Sequence, residues 1–527
     1  MLYIQMFEQA LQNVTYELPE RMRWKVREIK NIYRHAIKFL PSSGQQEVHA
    51  GQTIIVELPN NAVVDLASFC MQYIGRTTHA GKTGSGAINH IQSRFFPRNS
   101  ASIIQELVVE INGQTRFSLN DYNLLWNILH DYTAAQDSIN RRAAGSENSD
   151  PSRKHYAWNG SMFERRGYSI CKDPEAATDD EEKALAYDKQ LYVIRSWLGL
   201  CSSQCTTTII DTNILGSVVI KIRLAPPTCL MLGAANDAAI VAKTVSESET
   251  GLAVNAVSAD SANIAAEVAD YILSDINFTM IRLDVPSSFY DAQTVKLNSG
   301  SVLRLFFPNY SIFTGTSVPV GNKKGVSRCS VSTKSLDWVM GTFRLNNYTN
   351  IEQPLNSLVS TASSGQRGQN RATLQEQSKN GLRRLFNNSR YFCRNGSSIT
   401  KTKWYVGTAD YKERTVEESF NQLLLHYNIA NDVTSGMYEG IQSIYHFKDT
   451  FYADLLSLNI PGESPETVSG IDTKATPCQL TWEIDSVETD PIEGLFTDKS
   501  AYCTPYIICG YTSCLEIKGG RQITLIP

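Results

Sequence analysis

The stretch Leu107-Val108-Val109-Glu110-Ile111-Asn112-Gly113-Gln114-Thr115-Arg116-Phe117-Ser118-Leu119 decides the fold. Leu107, Val109 and Ile111 fall on one side of a period-two pattern, the signature of a strand with one face in a core. Asn112-Gly113 supplies two residues that tolerate the positive φ of a type I′ turn, whose twist suits a two-residue hairpin. A hairpin is therefore expected, with Leu107, Val109 and Ile111 buried. Just downstream, Asn120 stands as N-cap for a short helix over 121–132, in which Tyr122, Leu125, Trp126 and Leu129 recur at helical spacing. Upstream, 53–58 and 63–74 read as strands around the turn Pro59-Asn60-Asn61.

The same grammar of short β-branched and aromatic runs between turn residues continues along the chain. Strands are expected over 191–194, 206–210, 216–224, 271–285 and 301–307. The chain should close on a hairpin: 506–517, the turn Lys518-Gly519-Gly520, then 521–526, with Leu515 and Ile517 opposite Ile523 and Leu525. The Ala-, Ser- and Asn-rich stretch 234–269 reads as a long excursion, and 173–183 and 365–381 read as solvated connections. The whole is an all-β chain of two sandwich-like units meeting near 285–300, with no sequence repeat between the halves.

Bulk properties narrow the function. The 527 residues are 42% hydrophobic and 19% charged, which suits a folded protein with substantial cores. A formal net charge of -4 argues against a surface that wraps nucleic acid throughout. The 11 cysteines are scattered and odd in number, so they read as reduced thiols rather than a disulfide framework. No apolar run approaches the roughly 18 residues needed to span a bilayer. The first dozen residues lack the apolar core of a signal peptide, so an unsecreted, intracellularly made protein is expected.

Motifs for chemistry fail on inspection. Gly81-Lys82-Thr83 resembles the end of a phosphate-binding loop, but the required first glycine position is Arg76 and the following Gly-Ser-Gly opens a helix poorly. Cys201 with Cys205, and Cys503, Cys509 and Cys514, bring no histidine or second cysteine pair at zinc spacing, so buried thiols are the expectation. Cys509 and Cys514 should point to opposite faces of a strand. His130 and His446 sit among apolar residues with no patterned acid or nucleophile. Trp126 with Tyr132, and Trp404-Tyr405, could in principle form a stacking platform for sugars or bases, but core and interface packing is the favoured reading. No catalytic, cofactor-binding or metal-binding residue is assigned.

The N-terminal segment stands apart. After Pro19, Met22, Val26, Ile29, Tyr33 and Ala36 recur at spacings of four and three, predicting an amphipathic helix. Its other positions carry Arg21, Arg23, Lys25, Arg27, Lys30 and Arg34 against Glu20 and Glu28, a basic face on an acidic chain. These six cations are the candidate assembly arm.

The ordered series then acquires a resemblance. Gln52-Thr53-Ile54-Ile55-Val56-Glu57-Leu58-Pro59, Val64-Asp65-Leu66, the Asn-Gly hairpin with Tyr122-Asn123-Leu124-Leu125 and His130-Asp131-Tyr132 resemble the first jelly roll of major capsid proteins of virophages and polinton-like viruses. Trp197-Leu198-Gly199-Leu200, the run 210–216, the run from Leu336 to Phe343 and Leu515-Glu516-Ile517-Lys518-Gly519-Gly520-Arg521 are similar to later segments of that family. The resemblance implies two eight-stranded antiparallel jelly rolls side by side, with a few short helices. It divides the chain into an arm over 1–35, a first roll over 36–290 and a second over 291–527. It also implies a non-enzymatic, cofactor-free homotrimer that forms pseudo-hexagonal capsomers in an icosahedral DNA-virus shell. Neighbouring capsomers, penton proteins and minor capsid proteins would be its partners, and the arm would reach inward to a minor protein, an internal membrane or the genome. A carbohydrate-binding or carbohydrate-active jelly-roll protein, or a minor coat or spike protein, would share the pattern.

Overall fold

In the computed structural model the hairpin lies where its residues place it. Strand Ile104–Ile111 pairs with Gln114–Asn120, and Asn112 and Gly113 take φ of 52° and 70°, both left-handed as the turn demands. Leu107, Val109 and Ile111 are buried, as are Phe117 and Leu119 on the returning strand. The structure describes residues 33–42, 44, 47–77, 94–97, 99–133, 190–205, 208–232, 270–286, 290, 295–315, 318–319, 324–345, 390–392, 394, 396, 399–426, 447, 451–458, 460–461, 468–474, 478–486, 502–519 and 522–527.

Up to residue 284 eight main strands build two antiparallel sheets, shorter strands such as Glu47–His49 and Ile209–Asp211 adding to them and Arg94–Phe95 pairing apart with Met231–Leu232. In chain order the main strands are β1 (Tyr33–Phe39), β2 (Thr53–Glu57), β3 (Val63–Thr77), β4 (Ile104–Ile111), β5 (Gln114–Asn120), β6 (Gln190–Ile194), β7 (Val218–Leu224) and β8 (Tyr271–Asp284). One sheet runs β1-β8-β3-β6, the other β2-β7-β4-β5. From residue 303 the pattern restarts with β9 (Leu303–Thr314), β10 (Lys324–Val331), β11 (Leu336–Leu345), β12 (Ile399–Val406), β13 (Ala409–Asp410), β14 (Asp454–Ser457), β15 (Cys478–Ser486) and β16 (Tyr502–Lys518). Its sheets run β9-β16-β11-β14 and β10-β15-β12-β13. Adding eight to every main strand of the first unit yields the main strands of the second, and this interleaved order is that of a jelly roll. The expected fold class, two antiparallel jelly-roll sandwiches with few helices, is the observed one.

Register explains the cores. Across β2-β7-β4, Ile54 faces Ile222 and Leu107, while Val56 faces Ile220 and Val109, so one pleat face is continuously apolar and buried. The alternate face is charged: Lys221 pairs with Glu110 at 2.6 Å. In the second roll Gly341 on β11 lies opposite the Trp482 ring of β15, and a Cβ there would come within 2.5 Å of the indole. Glycine is thus what lets the two sheets close over a tryptophan. The final hairpin also matches expectation, with Leu515 opposite Leu525 and Ile517 opposite Ile523.

Helices occupy equivalent places in the two rolls. α1 (Tyr122–Thr133) follows β5 and leads towards β6, while α2 (Val416–His426) follows β13 and leads towards β14. Asn120 is not the cap of α1, because it is committed to β5 opposite Glu106. The carbonyl of Asp121 instead accepts from the N–H groups of Leu124 and Leu125, at a φ of 52°. α2 begins with a capping box: Thr415 N–H donates to Glu418 Oε2 at 2.8 Å, and Glu418 N–H donates to Thr415 Oγ1 at 3.3 Å. That Thr-x-x-Glu pattern was readable, yet no helix was expected there.

The N-terminal helix reading fails where it can be tested. Tyr33, Arg34 and Ala36 belong to β1, which pairs over seven residues with β8, Tyr33 opposite Asp284 through Phe39 opposite Phe278. Ile37 and Phe39 pack on the core, and Phe39 stacks on Phe278 at 5.9 Å. A ladder plus burial outweighs a helical spacing carried into it from upstream.

Candidate functional site

Of the six arm cations, Arg34 lies on β1 opposite Leu283, exposed to solvent. Arg21, Arg23, Lys25, Arg27 and Lys30 lie outside the described residues, as do Gly81-Lys82-Thr83 and His446. Cys201 is buried, and burial pushes its thiol up to about 12; Cys205 is pushed up to about 11, its Sγ donating towards the carbonyls of Gly199 and Leu200 at 3.5 and 3.6 Å. Thiols held this firmly protonated are poor metal ligands and poor nucleophiles. Cys509 and Cys514 are both buried, the role expected of them. Among the described residues no three His, Cys, Asp or Glu side chains converge as metal ligands.

What the fold does bring together is the junction between the rolls. Asp121 and Asp131, near the two ends of α1, each meet an arginine of the second roll. Arg344, on β11, contacts Asp121 Oδ1 at 3.2 Å, donates to the Tyr391 carbonyl at 3.0 Å, and lies over the Tyr391 ring at 4.7 Å. Arg394 contacts Asp131 Oδ2 at 2.9 Å and lies over the Phe451 ring at 5.8 Å. Both arginine side chains are 0% exposed. Charges this deep survive only when paired and hydrogen-bonded, so the second roll is electrostatically complete only against the first. Tyr132 adds a hydroxyl donated to the Phe451 carbonyl, and Tyr391 one donated to Gln105 Oε1. Sequence reasoning missed all four charged residues. The available signal was an arginine inside an apolar strand run, Leu336 to Leu345, which demands a buried acceptor.

Beside this clamp is a cavity of about 610 Å³. Its first-roll wall carries Trp126, His130 and the loop 196–204; its second-roll wall carries Phe306, Tyr310, Asp337, Trp338 and Tyr511, with His426 at the end of α2. Trp126 and His130 stack at 4.6 Å and 16°, and Tyr310 and Trp338 lie 6.0 Å apart. Burial raises the Asp337 carboxyl above its ordinary range and lowers the His426 imidazole. Trp126 packs with His130, and Trp404 stacks on Trp482 at 5.5 Å in the core of the second roll; Trp126, Tyr132 and Trp404 are all buried, the packing role expected of them.

The doubled roll, joined by a buried charged seam, defines the chain as a double jelly-roll protein. No family model and no curated protein sequence matches it. Among solved structures, the quasi-atomic model of the PBCV-1 virus capsid matches at a TM-score of 0.50 and 11% identity, over 95% of this chain and 98% of that one. PBCV-1 VP54, fitted into a reconstruction of the virophage Sputnik, matches at a TM-score of 0.50 and 10% identity, again over 95% and 98%. The Faustovirus major capsid protein follows at 0.49 and 9%, covering 93% of this chain and 92% of that one. At such low identity the likeness to the two PBCV-1 structures is one of fold, and it takes in both rolls.

Proposed function

We propose that this chain is the major capsid protein of a DNA virus, a shell subunit that works by assembly rather than catalysis. The observation that carries the reading is the fusion of two rolls of identical strand order through a buried seam. Three such chains would present six similar rolls in a ring, the building block a pseudo-hexagonal lattice needs. The match to the PBCV-1 capsid over nearly the full length of both chains supports it. Arginines fully buried against another roll's carboxylates are costly fittings for a monomer that merely displays loops. They suit a subunit whose rolls must hold one fixed angle. In this reading the partners are two further copies, neighbouring capsomers, and penton and minor proteins, and the protein resides in the virion shell. The division into an arm, a first roll and a second roll is carried over with β1, from Tyr33, as the start of the first roll.

The deciding experiment is the mass of the purified protein in solution, followed by imaging of what it assembles into. A stable trimer that forms hexagonally packed sheets or closed particles is expected; a stable monomer would overturn the proposal. The basic segment before β1 is assigned a separate role, contact with neighbouring capsomers or the particle contents through Arg21, Arg23, Lys25, Arg27 and Lys30. Deleting residues 1–32, which spares β1, should leave soluble trimers that fail to close into shells. Normal shells from the deleted protein would refute the arm.

A further inference from the structure

The cavity beside the seam is not needed for joining the rolls, because the ion pairs of Arg344 and Arg394 lie with Asp121 and Asp131 outside its lining. Its walls are built for something flat and hydroxylated. On the first roll, the buried Trp126 indole stacks on the His130 ring 16° from parallel and gives that wall a rigid backing. Across from it, the Trp338 ring presses onto the backbone of Gly510, where any Cβ would come within 2.1 Å of the indole. The platform is therefore set before a ligand arrives, which spares the entropy of ordering it.

Polar groups edge these plates. Asp337 accepts from Ser335 Oγ and Thr512 Oγ1, both at 2.7 Å, one on each carboxylate oxygen. A carboxylate oxygen has room for a second donor, so Asp337 is positioned and still able to accept. Ser203 and Gln204 stand exposed at the mouth. At 610 Å³ the space lies within the range of whole-molecule sites, roughly 300–1,000 Å³, and is too large for a lone ammonium head held by an aromatic cage.

We propose that this inter-roll cleft is a saccharide-binding site, in which a pyranose ring lays its C–H face on Trp338 and directs its hydroxyls to Asp337 and Gln204. A pyranose matches that lining on both counts. One ring face is a patch of C–H bonds that packs on an indole, and its edge is a row of donors and acceptors. Binding here is independent of whether the chain builds a shell.

The test is ligand-observed saturation-transfer NMR on the full-length protein with glucose, galactose, mannose, N-acetylglucosamine and their β-1,4-linked disaccharides, at concentrations up to roughly 10 mM, a weak-site regime. Transfer concentrated on ring C–H protons is expected for at least one of them. Trp338→Ala should weaken that binding about tenfold or more, the loss of roughly 1.4 kcal/mol of contact. Gln204→Ala, at the exposed rim where folding is not at stake, should weaken it several-fold. The proposal is overturned if no sugar in the panel shows transfer, if Gln204→Ala and a correctly folded Trp338→Ala both bind as the parent does, or if choline is captured and the sugars are not.

Discussion

The two rolls share one strand order and differ in how they satisfy buried polarity. The first roll relies mostly on neutral groups, its buried carboxylates Asp131 and Asp211 serving the seam and the Asn213 N–H. Tyr73 donates its hydroxyl to the Ser100 carbonyl at 2.9 Å, Tyr271 donates to the Ala225 carbonyl at 2.6 Å, and Asn99, Asn127 and Ser102 bond among themselves. The second roll uses charge. Asp454, fully buried, accepts at Oδ2 from the indoles of Trp404 and Trp482 at 2.8 and 3.0 Å. Its Oδ1 accepts from Ser419 at 3.0 Å and faces Arg414 at 3.2 Å. Neutral hydrogen bonds can be lost one at a time for about 1 kcal/mol each, whereas a buried charge left unpaired costs several. Topology therefore constrains where strands go without dictating what fills the space between them, and the second roll should be the brittle one.

The sharpest way to break that comparison is Asp454→Ala. Two indole N–H groups, a hydroxyl and a guanidinium lose one shared acceptor, and a loss of about 4–5 kcal/mol is expected by chemical denaturation. A loss under about 1 kcal/mol would mean that the second roll tolerates unpaired polarity as the first does. Next, Asp131→Ala should cost about 3–4 kcal/mol, because it strands Arg394 across the seam. The informative partner is the double variant with Arg394→Met, expected to recover most of that loss, since a well-packed apolar pair is often no worse than the ion pair it replaces. Failure to recover would assign the cost to α1 rather than to the stranded charge. The smallest effect is expected within the first roll, where Val109→Ala removes two methyl groups from a core position between Ile220 and Phe117 for about 1–3 kcal/mol. No measurable change would place Val109 outside the core.

What could be read from residues alone follows the range of the interactions. The 107–119 hairpin was legible because its turn chemistry and its alternation sit within a dozen residues of each other. The closing hairpin was legible for the same reason. The seam was not, because Arg344 and Arg394 find their carboxylates 223 and 263 residues away in sequence. Nothing local to Asp131 distinguishes it from a solvated helix residue. The cleft was half visible: Trp126 could be named as a stacking surface, but its partner His130 was read as a lone structural imidazole, and Trp338 comes from the other roll. The helical stripe running into Tyr33 and Ala36 shows the converse, a good local pattern cut short by a strand partner, β8, that lies far along the chain.

Asp121 and Asp131 stand near opposite ends of α1, so the two arginines they hold are spaced by the helix itself, about 15 Å at a rise of 1.5 Å per residue. That makes α1 a gauge block. Inserting one residue between the two aspartates would turn the second by about 100° and lift it off Arg394, while leaving every strand of both sandwiches untouched. Part of the angle between the rolls is thus stored in the residue count of one short helix, and in the proposed trimer part of the roundness of the ring would be counted there too.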